Sequence, residues 1–234
     1  MALKLHTKLK FFILWSVLLI SFGMLSVYLI LSASGYHIDW KWFRIEKTGI
    51  ITIKSQPRDV SVFVDASLLA SSTPVALRNM LPGSYDITIN KPEYHDWSKT
   101  IQVDSGRVTD LSDVLLLRLN PVVETISVKE MQLLDNYTQN NDILISGNEI
   151  YRNEKSPQLV TRLSRDVVQA VFYPDKRHIV FQVGNEIKSM DLLGQNVQAI
   201  TQLPTDKQSR IIFIDSGTSI LIKQEEAYSK FKIG

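Results

Sequence analysis

The 234-residue chain contains no cysteine. A disulfide scaffold, a thiol nucleophile and a thiolate metal site are therefore excluded. Patterns that announce catalysis are also missing. His6, His37, His95 and His178 lie far apart and share no motif, and no His-Glu-x-x-His, Gly-x-Ser-x-Gly or phosphate-loop sequence occurs. The expectation is a protein that is not an enzyme and carries no cofactor and no metal. An excess of positive charge is missing from most of the chain. Of 26 basic residues, Lys4, Lys8 and Lys10 stand in the first ten positions without an acid, which leaves 23 basic against 24 acidic residues beyond them. A nucleic-acid binder needs a basic face on its folded part, so nucleic acid is not an expected partner.

Charge is absent altogether between Lys10 and Asp39. Phe11 to Leu31 reads FFILWSVLLISFGMLSVYLIL, interrupted only by Ser16, Ser21, Gly23 and Ser26. At about 1.5 Å per residue this run spans roughly 31 Å, the thickness of a hydrocarbon core. The expectation is one transmembrane helix over 11–32, with the lipid bilayer as a partner. A cleaved signal peptide is the competing reading, with Ser32-Ala33-Ser34 as the small-residue site, but its apolar region is shorter than this run. The three N-terminal lysines outweigh the mixed charges after the helix, so residues 1–10 are expected in the cytoplasm and the bulk outside. Tyr36, Trp40 and Trp42 follow the helix and suit the outer membrane interface.

From Gly49 onward the texture changes to short runs alternating at period two. Strands are predicted over Ile50–Lys54, Val60–Val64, Ser84–Asn90, Thr100–Val103 and Val114–Leu119, with no helix among them. Turn chemistry separates them: Ser55-Gln56-Pro57, Ser72-Thr73-Pro74, Leu81-Pro82-Gly83, Lys91-Pro92 and Asp104-Ser105-Gly106. Such a pattern argues a small β-sandwich. Gly83, beside Pro82, is expected at the positive φ of a type II turn. Tyr94 and Trp97 have two readings: core packing, or a stacking platform for a glycan.

The order of these pieces resembles a PEGA domain, an extracytoplasmic β-sandwich module. The resemblance is carried by Gly49, Ser55-Gln56-Pro57, Val62-Phe63-Val64-Asp65, Thr73-Pro74, Leu81-Pro82-Gly83-Ser84-Tyr85, Tyr94 and Trp97. Three places depart from it. The eponymous turn reads Pro57-Arg58-Asp59-Val60, Ala66 stands where the family usually has Gly, and Glu93 stands where Gly is common.

Past Asn120-Pro121 the sequence repeats. The word Gly-Asn-Glu-Ile occurs at Gly147 and again at Gly184, 37 residues later, and Ile220-Leu221-Ile222 before Glu225 is a fainter third copy. Gly-Asn between apolar runs signals a two-residue hairpin, and a period near 40 built from strands and turns signals propeller blades. Phe172-Tyr173-Pro174-Asp175 through Met190-Asp191-Leu192-Leu193-Gly194 resembles a TolB-like β-propeller blade. Asp175 and Asp215 recur in its turns, where a structural role in the turn is expected. Residues 120–234 hold too few repeats for a closed propeller, and Phe231-Lys232-Ile233-Gly234 falls in mid-blade with an unpaired edge. Three readings stay open: a piece of a longer protein, closure by self-association, or an open β-array.

The expected fold is mainly β: a cytoplasmic tail (1–10), a transmembrane helix (11–32), a juxtamembrane linker (33–48), a PEGA-like β-sandwich (49–119) and incomplete propeller-like blades (120–234). The resemblance implies a membrane-anchored binding or scaffold module of the cell envelope, with an envelope polymer or envelope protein as partner. The second expectation is the ectodomain of a sensory complex, acting through a partner membrane protein.

Overall fold

A computed structural model describes residues 2–39, 44–138 and 141–234. Helix α1 (Ala2–Ala33) contains the apolar run, and its segment Phe11–Ala33 has a mean hydropathy of 2.3 with none of it buried in the protein. Ser21 and Ser26 return their hydroxyls to the carbonyls of Leu18 and Phe22, at 2.9 and 2.8 Å, so neither leaves a free donor on the apolar surface. The stretch expected as a linker forms a hairpin: β1 (Tyr36–Asp39) pairs antiparallel with β2 (Arg44–Lys47). Thr48 closes it, giving both its N–H and its hydroxyl to Gly35 O at 2.8 Å. Tyr36 is 37% exposed. Trp40 and Trp42, expected at the same interface, lie outside the described residues.

The chain divides into two compact units, Met1–Thr52 with Ala76–Tyr85 and Ile101–Asp110, and Ile53–Val75 with Asp86–Thr100 and Leu111–Gly234. Seven strands follow the hairpin: β3 (Gly49–Gln56), β4 (Ser61–Val64), β5 (Ser67–Ala70), β6 (Val75–Met80), β7 (Gly83–Asn90), β8 (Trp97–Val103) and β9 (Val108–Leu115). They form two sheets, ordered β6-β3-β9 and β5-β4-β7-β8. Alternate residues are buried, as the period of two dictates: Ile51 and Ile53, Val62 and Val64, Ile87 and Ile89, Ile101 and Val103. Gly49 starts β3 where a Cβ would stand 2.6 Å from Val103 Cγ1 and 2.8 Å from Asp104 O, so no larger residue fits. Ser55 donates its hydroxyl to Pro57 O at 2.7 Å and accepts from the Thr73 hydroxyl at 2.6 Å, tying the two proline turns together.

Several turns differ from expectation. Gly83 is not left-handed; it opens β7 directly. Among the non-glycine residues of these strands and turns, positive φ values fall on Asp59 (58°), Asp65 (46°), Ala66 (64°), Asn79 (59°) and Glu93 (71°). Ala66 and Glu93 are the positions where the resemblance led one to expect glycine. Asp65 is held there from outside its turn, donating its N–H to Asp86 O at 2.9 Å and accepting the Asp86 N–H on its carboxylate at 3.0 Å. The last predicted strand also sits earlier than expected, in β9.

Beyond residue 120 come β10 (Val122–Glu124), α2 (Val128–Asn136), β11 (Ile143–Ser146), β12 (Glu149–Arg152), β13 (Gln158–Arg162), β14 (Val167–Phe172), β15 (His178–Val183), β16 (Glu186–Asp191), β17 (Gln198–Gln202), β18 (Arg210–Ile214), β19 (Ser219–Gln224) and β20 (Ala227–Lys232). They form three antiparallel sheets: β11-β12-β13, β14-β15-β16-β17 and β10-β20-β19-β18. Each contains one two-residue hairpin at the expected place, entered with φ of 57° at Gly147, 57° at Gly184 and 54° at Glu225. The hairpin grammar of the repeats is present, but among the described residues no sheet closes into a barrel and the three do not make a propeller.

Two physical reasons stand out. First, the inner strand of the first repeat is missing. Moved back by the 37-residue offset, β14 falls on residues 130–135, which are helical in α2. The helix was not expected, yet Ser127-x-x-Glu130 starts it with a capping box: Ser127 Oγ accepts the Glu130 N–H at 3.3 Å, and Glu130 accepts the Ser127 N–H at 2.7 Å. Second, the third sheet takes its fourth strand from before the first repeat. β10 pairs with β20, Val122 opposite Lys232 and Glu124 opposite Lys230. The expected unpaired edge at 231–234 is therefore absent: β20 has a partner on each side, and Ile233 is fully buried.

One hydrophobic cluster joins Leu115 and Leu117 to Val180, Ile187, Ile211, Ile220, Ile222 and Ile233. A second joins Ile143 and Ile150 to Ala170, Ile179, Phe181 and Met190. β15 contributes to both, and all six of its residues are buried.

Candidate functional site

Tyr94 and Trp97 come first, because the sequence offers them as a ligand platform. Trp97 is 2% exposed and Tyr94 8%. With the Asn196 amide turned so that its oxygen faces the ring, the indole N–H of Trp97 donates to it at 3.2 Å. Two cations lie over the Tyr94 ring, Arg118 Cζ at 5.2 Å and Lys91 Nζ at 5.7 Å from its centroid. Neither ring offers a free face for a sugar, which corrects the platform reading and leaves the core-packing one.

These residues belong to a seam inside the second unit. His95 Nε2 stands 2.9 Å from Ala199 O. Gln198, 4% exposed, works as a strand mimic, accepting Leu117 N–H at 2.8 Å and donating to Leu115 O at 2.7 Å. Arg118 N–H reaches Ile233 O at 2.8 Å, and the Tyr173 hydroxyl accepts from Gln56 Nε2 and donates to Gly217 O, both at 3.1 Å. Burial pushes the Tyr173 phenol well above its ordinary pKa. Within the second unit, Gln56, His95 and the stretch 115–118 are thus bonded to the repeat sheets, with Gln198 and Tyr173 buried in the seam.

His178 and Asp175 are the one close His–carboxylate pair among the described residues, Nδ1 to Oδ2 at 2.6 Å. Asp175 also accepts the N–H groups of Arg177 and His178, at 2.8 and 3.1 Å. Burial pushes its carboxyl up, but the His178 ring and the two N–H groups outweigh this, so its pKa lies below the usual range. Asp191 binds the next turn in the same manner, through Leu193 N–H and Gln195 N–H. Asp175 thus has the role in the turn that its position in the repeat suggested.

One polar concavity on the repeat sheets is a cleft of about 490 Å³, lined by Tyr137, Thr138, Gln169, Gln208, Ser209, Arg210, Lys223 and Glu225. Local structure fixes its walls. The Arg210 Nη1 group donates to Leu134 O and Asp135 O, at 2.8 and 2.9 Å, satisfying carbonyls at the end of α2 that have no helical partner. Lys223 and the Tyr228 hydroxyl hold the Asp135 carboxylate, at 2.7 and 2.9 Å. Those bonds, Lys223 foremost, lower the Asp135 pKa and raise that of Lys223. Ser209 gives its N–H and hydroxyl to Gln182 Oε1, at 3.0 and 2.8 Å, while Gln224 Nε2 holds the carbonyls of Thr205 and Lys207. Gln169 is 2% exposed. Its Oε1 receives a long 3.4 Å bond from Gln208 Nε2, and among the described residues no buried side-chain nitrogen or oxygen is left without a partner.

Sequence reasoning overlooked this cleft because none of its residues forms a motif. A signal did exist: glutamines stand inside otherwise apolar strands, as in Ile179-Val180-Phe181-Gln182-Val183. A buried amide must find partners, and here the partners are loop backbones that shape the cleft.

No curated protein matches the chain. Residues 48–117 match the PEGA domain; the blade-like repeats lie beyond the matched residues, which are the stretch of the Ser55-Gln56-Pro57 turn, the buried Val62 and Val64 and the Leu81-Pro82-Gly83 approach to β7.

Proposed function

We propose that this protein is a single-pass, membrane-anchored binding and scaffold protein of the cell envelope that holds a partner rather than transforming it. α1 is the anchor, residues 1–10 face the cytoplasm, and the chain from residue 33 onward is extracytoplasmic. The reading rests above all on a 23-residue apolar helix, none of it buried in the protein, placed directly before a segment that matches the PEGA domain. Lys4, Lys8 and Lys10 supply the orientation. The blade-like sheets supply the binding surface, and within the second unit Gln198 joins them to Leu115 and Leu117. An envelope polymer is the preferred partner, since the exposed concavity is polar rather than apolar.

Fractionation with protease protection tests the topology. The full chain should stay in the membrane pellet after alkaline extraction. Protease added outside intact cells should digest the body and spare an N-terminal tag. A soluble product beginning at Ser34 would replace the anchor with a signal peptide.

A further inference from the structure

We propose that the hairpin β1–β2 lies on the outer leaflet of the membrane, with one face in the lipid headgroup layer and the other in water. The proposal rests on the reading of α1 as an anchor, and it assigns a lipid contact to a folded element beyond the helix.

Chain length brings the hairpin to the surface. The apolar segment Phe11–Ala33 has 23 residues, or about 35 Å of helix against a hydrocarbon core of about 30 Å. Its hydrogen bonds run on without a gap, from Ser34 N–H to Ile30 O at 3.0 Å and from Gly35 N–H to Ser32 O at 3.1 Å. Tyr36 follows three residues after Ala33, so it stands within about 11 Å of the helix end. The headgroup layer beyond the core is about 5–8 Å deep. β2 is drawn back to the same place, because Thr48 gives its N–H and its hydroxyl to Gly35 O, both at 2.8 Å. A lipid surface is thus within reach at all times, and a protein partner would have to displace it.

The register gives the hairpin two unlike faces. Tyr36 stands opposite Lys47, His37 opposite Glu46 and Ile38 opposite Ile45. Opposite residues share a face, and successive residues alternate between faces. Tyr36, Ile45 and Lys47 therefore lie on one side, His37 and Glu46 on the other. On the first side the protein leaves apolar surface open: Ile45 is 56% exposed and Tyr36 37%. An aliphatic side chain flanked by a phenol and a lysine suits the boundary between hydrocarbon and headgroup, where the polar tips reach outward. The turn after β8 braces the hairpin. Gly106 N–H reaches Thr48 O and the Ser105 hydroxyl reaches Lys47 O, both at 3.1 Å. The hairpin is thereby a fixed element of the first unit rather than a loose tether.

The absence of cysteine makes the test clean. The full chain, carrying one nitroxide label at a time, is reconstituted in vesicles of phosphatidylcholine and phosphatidylglycerol. The labelled variants are Tyr36→Cys, His37→Cys, Ile45→Cys, Glu46→Cys and, to read the anchor, Ile20→Cys. Collision with oxygen, which concentrates in lipid, is compared with collision with a water-soluble nickel chelate. The oxygen-to-nickel ratio at positions 36 and 45 should exceed that at 37 and 46 by about threefold or more. The two strands are read independently, so a substitution that disturbs one leaves the other pair to decide. Equal or reversed ratios, with position 20 in lipid, would overturn the placement of the hairpin and leave the anchor standing. Position 20 open to the nickel chelate would overturn both.

Discussion

The first and second repeat sheets share a hairpin and little else. In β15 every residue is buried, whereas in β11, its counterpart 37 residues earlier, only Ile143 is. Phe181 is 1% exposed and its counterpart Leu144 is 38% exposed. Gln198 binds two backbone groups in a buried seam, and Gln158, at the matching pairing position, is exposed. Hairpin geometry is thus a local property, set by a left-handed turn residue between apolar runs. Burial depends on neighbours, and the first sheet lost one when α2 took the place of its inner strand.

The contrast is sharpest in the core. Phe181→Ala should cost about 3–5 kcal/mol, and Leu144→Ala less than about 1 kcal/mol, read by urea unfolding of the full chain in micelles. Equal losses would mean that the two sheets are equally supported. Gln198→Ala comes next. It leaves Leu115 C=O and Leu117 N–H buried without partners, which should cost about 2–3 kcal/mol, while Gln158→Ala should stay within about 0.5 kcal/mol. A neutral Gln198→Ala would show that water replaces the amide.

The turns provide a smaller pair. Gly184→Ala forces a Cβ into the left-handed region and should destabilise by about 1–2 kcal/mol. Glu225→Gly, at the same turn of the third sheet, should relieve strain and raise stability by up to about 1 kcal/mol, less what is lost with the Lys207 contact. Thermal midpoints of the two variants should move in opposite directions. The smallest effect concerns α2. The Ser127 N–H, then the Ser127 hydroxyl and Lys230, lower the Glu130 pKa from 4.5 to about 2. A depressed carboxylate stabilises the fold above its unfolded pKa and loses that contribution as pH falls through its folded one. The stability difference between wild type and Glu130→Gln should therefore be full above about pH 4.5 and vanish towards pH 2. A difference independent of pH would sever the capping box from the stability of α2.

Where apolar residues alternate, strands were legible: β3, β4 and β7 lie close to their predicted spans. β5 escaped because Ser67, Leu68 and Leu69 are all exposed, so no alternation marks it. β6 reads Val-Ala-Leu-Arg-Asn-Met, which carries no strand propensity beyond its first residue. The pairing of β10 with β20 joins residues about a hundred positions apart, and no local pattern encodes it. Of the cleft, nothing was legible residue by residue, since Gln169 and Arg210 acquire meaning only from the loops and helix end around them. α2 was within reach, because Ser127 and Glu130 spell its start.

The burial of Ile233 has a consequence for the order of events during synthesis. Leu115 and Leu117 emerge early, yet the cluster they join is filled by Ile220, Ile222 and Ile233, and β10 waits for β20. Pairings of such sequence separation form late. Throughout that interval the nascent chain displays two leucines and an open strand, the features that draw misassembly and holding chaperones. Ribosomes stalled between codons 125 and 230 should accordingly carry chains that remain protease-sensitive around residues 115–124, and that sensitivity should collapse once residue 233 is free to fold.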